Sequence, residues 1–412
     1  MTVKRDPRKF CLMLEDSSDS GSTRSPQYGK ARAWLNEQAD TILHEQVEIA
    51  RTPAPPFQER ARGELVAAKL RGIGIAAGFD DIGNILAQYP ANGDELGERP
   101  VIVAAHLDTV FGPDTNVEVR RSGPRWVGPG IADNARGVAV ALWLLRALLE
   151  GRVEPQRPIL FAFTVGEEGN GDLRGVKHLF SKRDNPLRDA TAFIALDGSG
   201  LRRVVHRALG SRRFRITVRG PGGHSWADWG RPNPAHVIGE LAHRLSDLEL
   251  PRARRTTLTV ARLGGGTNIN AIPAENFLEL DVRSESIDAL DRTERMIRAA
   301  LIQSIASEEA RSQASLTAAI GIIGERPAGE LSTSHPLLRA ALEATKELGH
   351  EAEPSISSTD ANVPLALGVP AIAIGGGGRS GNAHTVNEWF ENTDGADGAV
   401  RALSLLASVA GF

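Results

Sequence analysis

The strongest constraint on this chain is a set of short apolar runs that are continuous rather than alternating. Residues 101–105 (VIVAA), 159–165 (ILFAFTV), 192–196 (AFIAL) and 371–374 (AIAI) have no polar face. Runs of this length that are apolar throughout read as strands buried on both sides. Such strands occur where helices cover both faces of a mostly parallel sheet. Residues 138–149 (VAVALWLLRALL) are apolar on most faces and read as a buried helix between the first two runs. Helical spacing also marks residues 30–50, 58–70 and a stretch near 176–181. The expected fold class is α/β, with a doubly wound, mostly parallel sheet.

After about residue 205 the pattern changes. Residues 214–218 (FRITV), 257–263 (TLTVARL) and 277–282 (FLELDV) alternate apolar and polar side chains, as in a sheet with one wet face. Asn233 followed by Pro234 is a helix start, and that helix is expected to run to about residue 246. A second helix is expected over 287–309 and a last strand over 315–323. This βαββαβ order predicts a compact α+β domain inserted into the first. A helix over 337–348, the 371–374 run and a closing helix over 393–410 return to the α/β pattern. The expected organisation is residues 28–206 with 325–412 as one domain and 207–324 as the insertion. Residues 1–27, rich in Ser, Asp and Gly, are expected to be disordered.

The chain has 412 residues and a formal charge of -3. That charge lacks the basic excess of a nucleic-acid-binding protein. No apolar run approaches the ~20 residues that span a bilayer. The apolar stretch at 10–14 is too short for the core of a signal peptide, so a cytoplasmic protein is expected, with neither a nucleic-acid nor a membrane partner. The single cysteine, Cys11, excludes a disulfide framework and a thiolate-cluster zinc site. Any metal must be held by His, Asp and Glu.

Such residues stand where the apolar runs end. VIVAA leads into His106 and Asp108, ILFAFTV into Glu167 and Glu168, AFIAL into Asp197, and AIAI, through a glycine-rich loop, into His384. In open α/β sheets, ligands bind at the carboxyl ends of the strands, so four strand ends can converge on one crevice. Asp133, in the loop before the buried helix, is a fifth donor. His106 and Asp108, two apart, share a face on an extended strand, so one can bind metal while the other orients its ring. Of the adjacent glutamates, one can hold metal while the other takes the proton from the attacking water. No other histidine stands at the end of such a run.

The segments AAHLDTV, GIADNARG, TVGEEGNG, ALDG, GPGGHSW and GNAHTVNEW occur in this order. Together they resemble the metallopeptidase family that includes peptidase T, carboxypeptidase G, aminoacylase and succinyl-diaminopimelate desuccinylase. The resemblance implies two divalent metal ions per chain, zinc before manganese or cobalt, bridged by Asp133. His106 and Asp197 would complete one ligand set, Glu168 and His384 the other. Glu167 would be the general base and Asp108 the carboxylate behind His106. The inserted domain would be a lid and dimerisation domain, with His224 of one protomer entering its partner's site in a homodimer. Asn270 and Arg283 match positions that hold the substrate's carboxylate. One departure is Asn134, where many members carry an acidic residue or methionine.

The function these observations predict is hydrolysis of an amide bond in a di- or tripeptide. A deacylase of N-acyl amino acids would use the same centre, and a silent binding protein would keep the fold without the chemistry.

Overall fold

The computed structural model describes residues 24–91, 99–182, 185–312 and 314–412. The disorder expected at the N-terminus lies outside these residues up to position 23. Beyond it the expectation is corrected: Ser25 accepts a hydrogen bond from the Tyr28 N–H and caps the helix Pro26–Asn36. Arg24 is held by an ion pair to Glu347. Order therefore begins before residue 28. The periodic stretch expected over 30–50 is broken at Glu37 and Gln38 into two helices, Pro26–Asn36 and Ala39–Ala50.

All four apolar runs are strands of one nine-stranded sheet. Its centre reads Ile159–Thr164, Val101–His106, Ala192–Leu196, Ala371–Ile374 across the sheet, and these neighbours are parallel. Every residue of these four strands is buried, because helices cover both faces. The flanks are mixed: Ile85–Tyr89 runs antiparallel to Ile159–Thr164, and Arg203–Ala208 antiparallel to Ala371–Ile374. The helix Ala135–Gly151 packs on the strands Val101–His106 and Ala192–Leu196 and on the helices Pro26–Asn36, Ala39–Ala50 and Asp397–Ala410. Because the central strands are parallel, their carboxyl ends lie along one edge.

The middle of the chain forms a separate four-stranded antiparallel sheet. Its order is Thr256–Gly265, Glu275–Ser284, Gly210–Arg219, Thr317–Arg326. Asn233 caps the helix Pro234–Ser246 through the Ala235 N–H, and the second helix runs over Ile287–Ser312. Both helices pack on one face of this sheet around Phe214, Ile216, Leu278 and Leu280. That core is distinct from the core around the large sheet. A two-residue pair, Gly223–His224 with Ala271–Ile272, projects from the small sheet. Among the described residues, no helix is long and apolar enough to cross a membrane.

Candidate active site

The sheet's carboxyl edge delivers the donors. His106 is the last residue of its strand, Asp197 directly follows Leu196, and Glu167 and Glu168 follow Thr164 by a short turn. That turn needs Gly166, whose φ is +63° and where a Cβ would sit 2.6 Å from the Arg174 side chain. Asp133 comes from the loop preceding Ala135–Gly151. Next to it, Asn134 caps that helix through the Gly137 N–H, donates to the Leu196 carbonyl and accepts from the Gly198 N–H. The departure noted at Asn134 thus ties the Asp133 loop to the Asp197 strand end. His384 lies beyond the glycine-rich loop, in the left-handed region at φ 64°, where a non-glycine residue is rare and held by its surroundings.

These side chains meet. His106 Nε2 lies 3.1 Å from Asp133 Oδ1 and 3.9 Å from Asp197 Oδ1. His384 Nε2 lies 3.2 Å from Asp133 Oδ2 and 3.2 Å from Glu168 Oε1. Two donor triads share Asp133, His106–Asp133–Asp197 and Asp133–Glu168–His384, and a third group is His106–Glu167–Glu168; in each the ligand atoms lie within 4.8 Å of one another. The two oxygens of Asp133 face different triads.

The electrostatics explain what such a cluster requires. Burial, then the neighbouring Asp133, pushes Asp197 up to about 7. Burial also pushes Glu167 well above the usual carboxylate range, against the pull of Arg326. Burial disfavours a proton on His106, but hydrogen bonds to Asp108 and Asp133 outweigh it and raise the imidazole well above its ordinary value. Hydrogen bonds to Asp133 and Glu168 raise His384 to about 10. Asp133, despite burial, is held low by the two histidines. Neutral imidazole nitrogens and carboxylates in this number are a donor set for divalent metal, so the residues present fit the expected ions.

Asp108 is fully buried, and its carboxylate accepts the backbone N–H groups of Glu167 (2.9 Å) and Glu168 (2.8 Å). The nearer contact to His106 Nδ1 is Asp108's backbone carbonyl at 3.1 Å, with the carboxylate at 3.7 Å. Asp108 thus fixes the glutamate turn as well as the ring behind it.

A cavity of about 640 Å³ opens on the cluster, and Arg283 lines it with Asp133, Glu167, Glu168, Asp197 and His384. His224 and Asn270 are not part of that lining. They lie together on the projecting pair, where the Ser225 N–H donates to the Asn270 carbonyl. His224 is exposed, and its Nδ1 accepts from the Trp226 and Ala227 N–H groups.

Three residues at the site were not assigned a role from the sequence, although Glu388 lies within the segment GNAHTVNEW. Glu388, 1% exposed, accepts the backbone N–H groups of Gly130, Ala132 and Asp133 and so holds the loop that presents Asp133. Arg326 donates to Glu167 Oε1 at 2.9 Å and to the Glu167 carbonyl. Asp360 accepts from Thr164 Oγ1, just before the glutamate turn, at 2.5 Å. An arginine or carboxylate of this kind is indistinguishable from a surface charge until the fold places it.

Comparison with known proteins gives the family and the fold. The cytosol non-specific dipeptidase of Escherichia coli is 26% identical over 275 residues, 59% of this chain and 53% of that protein. The chain therefore matches only about half the length of that relative. A tripeptidase from Staphylococcus aureus superposes with a TM-score of 0.74 at 20% identity, covering 90% of this chain and 98% of that one. The YXEP protein of Bacillus subtilis, described as a dinuclear metal binding peptidase from the M20 family, gives a TM-score of 0.65 at 16% identity over 91% and 99% of the two chains. The sequence profile described as Peptidase family M20/M25/M40 matches residues 102–408, a span containing every donor of both triads. The chain belongs to peptidase family M20/M25/M40 and is a hydrolase of the metallopeptidase type.

Proposed function

We propose that the chain is an exopeptidase that hydrolyses di- or tripeptides at a centre holding two divalent cations, zinc first and manganese or cobalt next. One observation carries this reading: two donor triads share Asp133 at the edge where four buried strands end. His106 and Asp197 would hold one ion with Asp133, and Glu168 and His384 the other. The names of the E. coli dipeptidase, the S. aureus tripeptidase and the B. subtilis dinuclear peptidase support the substrate and the ion count. When bound, such ions supply Lewis acidity, acidifying a water and drawing electron density from the scissile carbonyl.

Glu167 accepts the water's proton and passes it to the leaving amine. Arg326 occupies Glu167 Oε1, which leaves Oε2 for the proton. Burial raises Glu167's affinity for that proton, which suits a group that first takes it and then hands it on. Asp108 keeps the glutamate turn in register with the donors. Arg283, in the cavity wall, and Asn270 hold the substrate's carboxylate, a task suited to arginine's planar fork.

His224 acts from the partner protomer of a homodimer, stabilising the charge that develops on the carbonyl oxygen. Two features support this. His224 lies outside the lining of its own chain's cavity, and it is flanked by Trp226 and Trp229, which are 87% and 84% exposed. Indoles so bare on one tip fit a surface covered on assembly. In this reading the inserted segment, 207–324, is the lid and dimerisation domain, and the protein works in the cytoplasm, as the name of the E. coli relative suggests.

The test is a substrate panel on zinc- and manganese-loaded protein: free di- and tripeptides against N-acyl amino acids. Turnover of free peptides is expected. Turnover confined to N-acyl amino acids would make the chain a deacylase, and none on either class would leave a binding protein.

A further inference from the structure

The cavity that opens on the donors is also lined by four arginines, Arg203, Arg213, Arg283 and Arg326, and their charges do not balance. Arg326 is matched by Glu167. Arg213 and Arg283 share a single carboxylate, Asp281, at 3.3 and 2.7 Å. Arg203, exposed at the rim, lines the same cavity, and no hydrogen bond or ion pair engages its guanidinium among the described residues.

Arg203 is not placed there by accident of a loop. It opens the strand Arg203–Ala208, whose Val204 pairs with Ile374 across the sheet. The Ala371–Ile374 strand ends at the edge that carries the donors, so the antiparallel neighbour starts at that edge. Only a short turn separates Arg203 from Asp197, and Ser199 in that turn bonds Ser380 at 2.6 Å on the cavity's other side. A guanidinium without a counter-charge at the mouth of a catalytic cavity is a site for an anion supplied by the substrate.

The wall's surplus is not cancelled by the cluster. Once divalent cations sit on Asp133, Glu168 and Asp197, as the proposed function requires, those carboxylates are more than neutralised. A zwitterionic dipeptide brings no net charge into this field. A peptide with an acidic side chain brings one negative charge beyond its termini, and the wall holds one cation more than the α-carboxylate needs. We propose that the preferred substrates are small peptides bearing an acidic side chain, and that Arg203 binds the side-chain carboxylate while Arg283 takes the α-carboxylate. This inference rests on the proposed function for its cations, and its test separates the two.

The experiment uses full-length zinc-loaded protein and two isosteric pairs, Ala-Glu with Ala-Gln and Glu-Ala with Gln-Ala. In at least one pair kcat/KM should favour the acidic member by about ten- to a hundredfold, the worth of one charge-assisted pair, mainly through KM. Arg203→Gln should abolish that ratio, and Arg203→Lys should retain part of it, since charge survives without the fork. Equal kcat/KM within both pairs overturns the inference, as does an acidic preference that persists in Arg203→Gln. If none of the peptides is hydrolysed, the proposed function fails by itself, and the same peptides become ligands for calorimetry. Tighter binding of the acidic member, lost in Arg203→Gln, would still uphold the anion site. Equal binding would remove it.

Discussion

Replacing Glu388 tests whether the bridging position of Asp133 is built by the chain around it. Glu388 meets Asp133 at that residue's backbone and not at its carboxylate. Its Oε1 accepts the N–H groups of Ala132 (2.7 Å) and Asp133 (2.9 Å), and its Oε2 that of Gly130 (3.2 Å). Glu388→Ala strands three donors in a buried loop, and each unsatisfied group costs about 1–3 kcal/mol. The loop should relax towards water, and Asp133 should lose its fixed aim at His106 and His384. Glu388→Gln is milder. Its carbonyl oxygen can keep the Ala132 and Asp133 bonds, and its amide, itself a donor, faces the Gly130 N–H. One bond of three is lost. Removing a partner behind a metal ligand lowers metal affinity by about ten- to a hundredfold, so Glu388→Ala should weaken binding by that order and Glu388→Gln by less. Competition against a zinc chelator measures it, with a thermal melt run beside it. If Glu388→Ala melts lower yet binds cations as tightly as the parent, Glu388 supports the fold and not Asp133, and the reasoning is refuted.

Three further outcomes follow from the site and the cores. Glu167→Ala should keep the cations and lose about 10²–10⁴-fold in kcat, the usual contribution of a general base, whereas Glu168→Ala should lose metal first; metal analysis showing the reverse order would exchange their roles. Glu167→Ala and His224→Ala chains, each nearly inactive alone, should recover about a quarter of parental activity when co-refolded in equal amounts, because mixed twofold dimers rebuild one site in two. A confirmed dimer without recovery would place His224 in its own chain's chemistry. Phe214, fully buried in the small-sheet core, should cost about 3–5 kcal/mol on replacement by Ala, read by denaturant unfolding; a loss under 1 kcal/mol would mean that core is loosely packed.

The continuous apolar runs carried much of this architecture in the sequence. A parallel strand buried on both faces carries no titratable side chain until it ends, so the first such residues after VIVAA, ILFAFTV and AFIAL fall at one edge, as His106, Glu167 and Asp197 do. The inserted sheet was equally readable, since a wet face forces alternation, as along Glu275–Ser284. What escaped has no periodicity to betray it. The small sheet of Arg120–Ser122, Arg125–Val127, Arg379–Gly381 and Trp389–Glu391 is made of short polar strands that pair across distant parts of the chain. Glu388 and Arg326 become functional only because tertiary structure brings them to Asp133 and Glu167. Asp108 was assigned to the ring of His106, but its carboxylate's two hydrogen bonds go to the glutamate turn, a partnership invisible in one strand's alternation.

The most direct test of the central claim is a zinc titration of chelated, full-length protein, followed by both peptide hydrolysis and bound metal. The shared position of Asp133 predicts no hydrolysis in the chelated protein, and activity that saturates at about two ions per chain, as in a cocatalytic site. In Asp133→Ala both binding events should be weakened together. Full hydrolysis by the chelated protein, or two ions bound undisturbed in Asp133→Ala, would contradict the account.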